Sequence, residues 1–327
     1  MVDLSADQVG EDLACLKILL ETHYAFNIIH PKNEIVFKLD RVLKNPTPMS
    51  SSTLLEKIFE FHEGTEDMHL GYLVGGLKKQ VVTKNPVMVT LSEELEFERV
   101  YERPTFTYFR PESPMPSLTD AQRELTERLK VQDKPLVIDL RGNGGGDNDL
   151  AKALSESLFT QDQPVPVSEI AQIESPLQKI GFCATLFVIH KHKYRNYCEQ
   201  VKAPLNHLPF SELIKTSITK MPAVYTGERS TPFRSPIVLI TDSGCASGCE
   251  TIIEKLSAHP MVKIIGAHTA GALLYGNPIY LTLPNSGIWV ALPTRAEIYE
   301  NDAPEAVGFF PDVPLTHVNL DAILSIK

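Results

Sequence analysis

Two stretches that each pass from an apolar run through small residues into a helical pattern constrain this chain most. Residues 236–258 read PIVLITDSGCASGCETIIEKLSA. Ile237 to Ile240 is a short β-branched run that suits a buried strand. Asp242, Ser243 and Gly244 are turn formers, and Ile252, Ile253 and Leu256 then share one helical face. A strand-to-helix junction crowded with small residues sets a side chain at the end of a sheet, beside unpaired helix N-terminal amides. A serine there can be a nucleophile, with the next backbone N–H stabilising an oxyanion. The competing reading is a plain helix N-cap.

Residues 135–147, PLVIDLRGNGGGD, repeat the pattern, with a helix expected from Asp149. Gly144 to Gly146 allow positive φ and close approach of backbone to a ligand. A dinucleotide fingerprint fails because its third glycine would fall at Asp147, and a P-loop fails for lack of GK[ST]. Here the chain resembles the C-terminal-processing (tail-specific) serine proteases, above all their tricorn-type branch. The family's D-x-R-x-N-G-G-G strand end stands at Asp139 to Gly146, and its small-residue S-A-S-x-x-E junction at Cys245 to Glu250. Gly308-Phe309-Phe310-Pro311-Asp312 follows in the expected order.

The resemblance implies an α/β fold: a crotonase/ClpP-like core of stacked ββα units with a small N-terminal helical domain. It implies a serine endopeptidase whose nucleophile, three residues before Glu250, is Ser247 rather than Ser243. His69, in the turn Gly64 to Tyr72, matches the branch's catalytic histidine. Many relatives use a lysine base some residues after the serine, but that position here is Ala272. Glu305, three before Gly308, matches the carboxylate that completes a His–Ser–Glu triad. A histidine base would give an activity rise near roughly pH 6–7. The oxyanion hole would pair the N–H of Gly248 with that of Gly144 or Gly145. The loop holding His268, Thr269, Ala270 and Gly271 would bind substrate, and Asp139 and Arg141 would brace the glycine turn. The implied partner is a peptide or an unfolded protein, and no metal or organic cofactor is implied. The rival function is a catalytically inactive protein binding a peptide or apolar ligand on the same fold. An acyl-CoA enzyme of the crotonase type would lack this serine junction.

The organisation expected is a helical domain over 1–66 and an α/β catalytic domain over 67–327. Val9, Leu13, Leu16, Leu19 and Leu20 mark a helix over Ala6 to Ala25. Others are expected over Asn33 to Leu43, and from the Ser50 to Ser52 cluster to about His62. Alternating runs at Gln80 to Thr83, Val87 to Leu91, Glu96 to Tyr101 and Thr105 to Phe109 read as antiparallel strands. With a helix over Leu118 to Val131, they leave no room for a PDZ module. Phe182 to Ile189 reads as a strand, within a proline-punctuated 160–235 segment suited to a lid or substrate-side insertion.

The chain has 327 residues, enough for one large or two modest domains, and its net charge of −10 argues against a nucleic-acid partner. No apolar run reaches a membrane span, and the acidic N-terminus lacks signal-peptide features. The expectation is a cytosolic protein, or an exported one whose signal has been removed; a homo-oligomer stays open. Five cysteines are an odd, sparse set. Cys245 and Cys249 read as space-filling residues, with a redox pair as the alternative. His190 and His192 lack companions at zinc-finger spacing.

Overall fold

The apolar runs that open the two junctions are neighbouring strands. Leu136–Asp139 and Ile237–Thr241 pair in parallel, Ile237 opposite Leu136 and Ile240 opposite Asp139. Val262–Gly266 extends the parallel set on one side and Thr107–Phe109 on the other. The sheet is completed by Val313–Pro314 and Tyr101–Glu102 at its two edges. The central strands are covered on both faces, which is why their sequences are continuously apolar rather than alternating. Ile138 and Leu239 pack into a cluster with Leu125, Leu154, Ile252 and Leu256, from the helices Asp120–Leu129, Asp149–Leu158 and Gly248–Ser257. Val137, Val238 and Ile240 face the opposite cluster, with Leu320 and Ile323 of a short C-terminal 3₁₀ helix. Because the strands run parallel and side by side, the glycine turn and the serine junction emerge at the same, carboxyl end of the sheet.

This computed structural model describes the chain apart from residues 32–33, 63–64, 83–84, 116, 163–166, 191–194, 206, 224–225, 302–304 and 326–327. His192, Asp302 and the Gly64 start of the histidine turn lie outside the described residues. The chain forms two compact units: 83–168, 223–273 and 299–327 make the unit just described, and 1–82, 169–222 and 274–298 make the other. The second unit has a six-stranded sheet in which Trp289–Tyr299 lies between Val167–Glu174 and Gly71–Val74, with Leu77–Gln80 and Ser217–Pro222 at the ends and Tyr275–Thr282 on Trp289–Tyr299. Its helices include Ala6–His23, Ile35–Leu43 and Ser51–Glu60. Ser5 and Gln8 form a reciprocal capping box on the first, and Ser50 caps the third. Leu13, Leu16, Leu55 and Ile58 pack there with Tyr72, Ile279 and Val290. The two units are interleaved in sequence, so the boundary expected at residue 66 coincides with a limit of neither.

Three expected elements differ. The run Phe182 to Ile189 belongs to a helix, Pro176–His190. Pro176 fits a first helical position, and the Ser175 hydroxyl accepts from the Gln178 N–H at 2.8 Å. Those start signals outweigh the β-like look of a short apolar run, which cannot separate strand from buried helix. The 80–110 runs are not one antiparallel set. Thr90–Leu91 pairs in parallel with His317–Val318, and Thr107–Phe109 joins Leu136–Asp139 in parallel and Tyr101–Glu102 antiparallel. Part of the presumed insertion is sheet, since Val167–Glu174 and Ser217–Pro222 are paired strands. Among the described residues no helix is long and apolar enough to cross a membrane.

Candidate active site

Ser247 sits at the N-cap of Gly248–Ser257 with φ 56° and ψ −123°. A positive φ on a residue with a Cβ costs about 1–3 kcal/mol and persists only where the surroundings enforce it. An ordinary N-cap serine has extended backbone, so this one is held in a sharp elbow. Ser243, the other candidate, is a structural residue. It is buried, its hydroxyl accepts from the Val87 N–H at 2.8 Å, and it donates to the His268 carbonyl at 3.2 Å.

Glu250 holds the elbow. Its fully buried carboxylate accepts from the Ser247 N–H at 3.1 Å, the Gly271 N–H and the Ala272 N–H, both at 2.7 Å, and the Thr269 hydroxyl. Burial pushes its pKa up, against the pull of those hydrogen bonds. Glu250→Ala leaves these donors facing a void and should lower the unfolding free energy by about 2–4 kcal/mol. Guanidinium titration measures this, and a midpoint unchanged from wild type would show that Glu250 does not carry the junction.

The glycine turn lies against the elbow. Gly145 has φ 91°, and a Cβ there would come within 2.5 Å of the Ala246 carbonyl and 2.9 Å of the Ser247 Cβ. The sequence places the second oxyanion donor at Gly144 or Gly145, but both N–H groups are engaged, Gly144 with Ser113 Oγ at 3.0 Å and Gly145 with Asn143 Oδ1 at 2.9 Å. Gly146 is bridged through its neighbours: Met115 N–H donates to the Gly145 carbonyl and Asp147 N–H to the Met115 carbonyl. Its own N–H, like that of Gly248, donates to no group among the described residues. A Cβ on Gly248 would lie 3.1 Å from the Gly146 nitrogen, which puts the two backbones side by side. Arg141 braces the turn through Nε and Nη2 to Asp139, both at 2.8 Å, and Tyr108 donates to the same carboxylate at 2.7 Å.

The loop after Val262–Gly266 connects the elbow to Glu305. Ala270 N–H donates to the Cys245 carbonyl at 2.9 Å, and Ala306 N–H to the Gly271 carbonyl at 2.7 Å. A Cβ on Gly308 (φ 77°) would lie 2.3 Å from the Thr269 carbonyl, so only glycine lets the segments meet there. Glu305 is 6% exposed and accepts from the Leu273 N–H at 2.8 Å. Of the four residues expected to bind substrate, Thr269, Ala270 and Gly271 are buried in this joint. His268 is half-buried and lines a groove of about 450 Å³ with Val87, Phe310, Pro311 and Leu315. Ala272, at the family's lysine position, is buried as well.

His69 is carried by the other unit, just before the strand Gly71–Val74. The residue is half-buried, with its Nδ1 shielded from solvent. Burial, and then the charge of Arg295, push its pKa down to about 4. The turn is built on Asp67, which the motif reading passed over. Its fully buried carboxylate accepts from the N–H groups of His69 at 2.8 Å and Leu70 at 3.2 Å, and burial pushes its pKa up to about 6. An aspartate two residues ahead of a turn residue is the signal that could have found it. Cys245 and Cys249, expected as separate space-filling thiols, are joined in a disulfide. The spacing of four residues across a helix start allows either state, and only the side-chain directions decide it.

The parallel sheet thus brings a strained serine at a helix start and a glycine turn together at one end. The sequence profile of Peptidase family S41 matches residues 105–315, and the chain belongs to that family. Among solved structures, mature CPAF is similar at 13% identity, covering 98% of this chain and 94% of that one with a TM-score of 0.57. Mature CPAF complexed with lactacystin gives 13% identity, 98% and 95% coverage, and a TM-score of 0.56. A protein from Parabacteroides merdae ATCC 43184, solved as a candidate peptidase, gives 12% identity, 94% and 90% coverage, and a TM-score of 0.57. At such identities these likenesses establish the mixed α/β fold. No curated protein matches the chain in sequence.

Proposed function

We propose that this S41 member is a serine endopeptidase of the tricorn type, without a PDZ module, acting on peptides or unfolded proteins. The observation that carries the reading is the elbow at Ser247, held under backbone strain beside the N–H groups of Gly248 and Gly146, which donate to no group among the described residues. In this reading His69 takes the Ser247 proton as the hydroxyl oxygen attacks the scissile carbonyl. The carbonyl oxygen becomes an oxyanion held by Gly248 and Gly146. Glu305 fixes the imidazole tautomer and stabilises the imidazolium. His69 then protonates the leaving amine, and water releases the acyl group from Ser247 by the same steps in reverse. With Ala272 at the lysine position, no lysine serves as base.

The test is hydrolysis of casein and of a short fluorogenic peptide from pH 4 to 9. A base must be unprotonated to act. With the His69 pKa lowered from its ordinary 6.5 to about 4, the imidazole stays neutral as pH falls through 6. The acid limb of kcat/KM should therefore lie nearer pH 4 than the pH 6–7 of an unperturbed histidine. A limb above pH 8 would point to a lysine base. Binding of casein with no cleavage at any pH would leave the non-catalytic peptide-binding reading.

A further inference from the structure

The Cys245–Cys249 bridge encloses Ser247, with one half-cystine two residues before it and the other two residues after, their Cα atoms 5.5 Å apart. Both sulfur-bearing residues are fully buried in the cluster under the sheet. Each end is anchored. Cys245 N–H donates to the Asp242 carbonyl at 3.0 Å and its carbonyl accepts from Ala270; Cys249 N–H donates to the Ala246 carbonyl at 3.1 Å. Relaxing Ser247 from φ 56° to the extended backbone of an ordinary N-cap rotates the chain on one side of it against the other. The covalent link between 245 and 249 opposes that rotation.

We propose that this disulfide is a positioning element that, with Glu250, holds the strained elbow at Ser247, and that a dithiol reductant therefore switches the enzyme down. The activity part rests on the peptidase reading above. In the switching step the helix start opens locally and exposes the buried bridge, a reductant thiolate attacks one cysteine sulfur, the S–S bond breaks, and the other cysteine leaves as a thiolate. The reductant's second thiol then displaces the mixed disulfide. The bridge gains two electrons and two protons, and the dithiol becomes a cyclic disulfide. The freed elbow relaxes toward extended backbone, and the Ser247 side chain shifts relative to the Gly146 and Gly248 N–H groups.

Thiol titration in denaturant should find three thiols, those of Cys15, Cys183 and Cys198, in protein prepared without reductant. All five cysteines should titrate after dithiothreitol. Reduction should slow fluorophosphonate labelling by about 10–100-fold, and removal of the reductant with reoxidation should restore it. The double variant Cys245→Ala, Cys249→Ala should label as slowly as reduced wild type and ignore dithiothreitol. Equal labelling of bridged and reduced protein overturns the proposal, as do five thiols before reduction. Amide hydrogen exchange reads the same element without activity: exchange at residues 247–250 should quicken on reduction while Leu136–Asp139 stays protected. If bridged protein does not label at all, the peptidase reading fails, and exchange alone decides the bridge; unchanged exchange overturns it.

Discussion

Ser247→Ala should abolish fluorophosphonate labelling and reduce peptide hydrolysis by roughly 10⁴-fold or more, with stability held within about 1 kcal/mol. The activity loss follows because, in the proposed reaction, the hydroxyl oxygen forms the acyl bond; the donors beside it would accelerate hydrolysis by water only residually. Stability survives because the interactions that fix this turn come from elsewhere: Glu250 takes the Ser247 N–H, and the Ser247 carbonyl accepts from Thr251 at 3.0 Å. Neither uses the hydroxyl, whose own part is to accept from the Glu250 N–H in the capping box, a contact worth about 1 kcal/mol. Ser243→Ala should show the reverse pattern. It deletes a buried hydroxyl that joins Val87 to His268, so stability should fall by about 1–3 kcal/mol while labelling persists. Labelling that survives Ser247→Ala and disappears in Ser243→Ala would move the nucleophile to the other serine.

Glu305→Gln should lower kcat by roughly 10²–10⁴, about 3–5 kcal/mol of transition-state stabilisation, with little change in the binding of a substrate-like inhibitor. A histidine base must present an unprotonated nitrogen to the serine while its other N–H is held. A carboxylate selects that tautomer and offsets the charge that develops on attack. Glutamine keeps the shape and can still accept from the Leu273 N–H, so the turn should survive. It removes the charge and can hold the wrong tautomer. Two controls separate this role from a structural one. Glu300 is exposed, so Glu300→Gln should be silent. Asp312 accepts from the Ile264 N–H at 2.8 Å, so Asp312→Asn should affect stability more than rate. Near-native kcat in Glu305→Gln beside a collapse in Glu300→Gln would mean that the third member has been misplaced.

What could be read from the chain follows how local each signal is. The two junctions were legible because strand, turn and helix fall within about 25 residues and the residue types change sharply at each boundary. The helix Asp149–Leu158 begins where its pattern gives, and Asp139 and Arg141 brace the turn between strand and helix. Pairings between distant segments were not legible. Nothing in Thr90–Leu91 announces a parallel partner more than 200 residues away at His317–Val318. The interleaving of the two units is hidden for the same reason, since it depends on which segments bury their apolar faces together. Within the candidate site the residue types were readable but their hydrogen bonds were not. The sequence offers Gly144 or Gly145 as the second donor, and nothing in it shows that Ser113 and Asn143 occupy their N–H groups. Glu250 marks the serine register in the sequence. In the structure its carboxylate accepts from the junction and from the Thr269 to Ala272 loop together.

The most direct test of Ser247 as the nucleophile is to label the wild-type protein with a fluorophosphonate, digest it, and locate the adduct by mass spectrometry, with His69→Ala treated in parallel. One phosphonyl group, on Ser247, and at least a 10²-fold slower adduct formation in His69→Ala are expected. No adduct on wild type, an adduct on Ser243, or equal labelling of the two proteins would contradict that assignment.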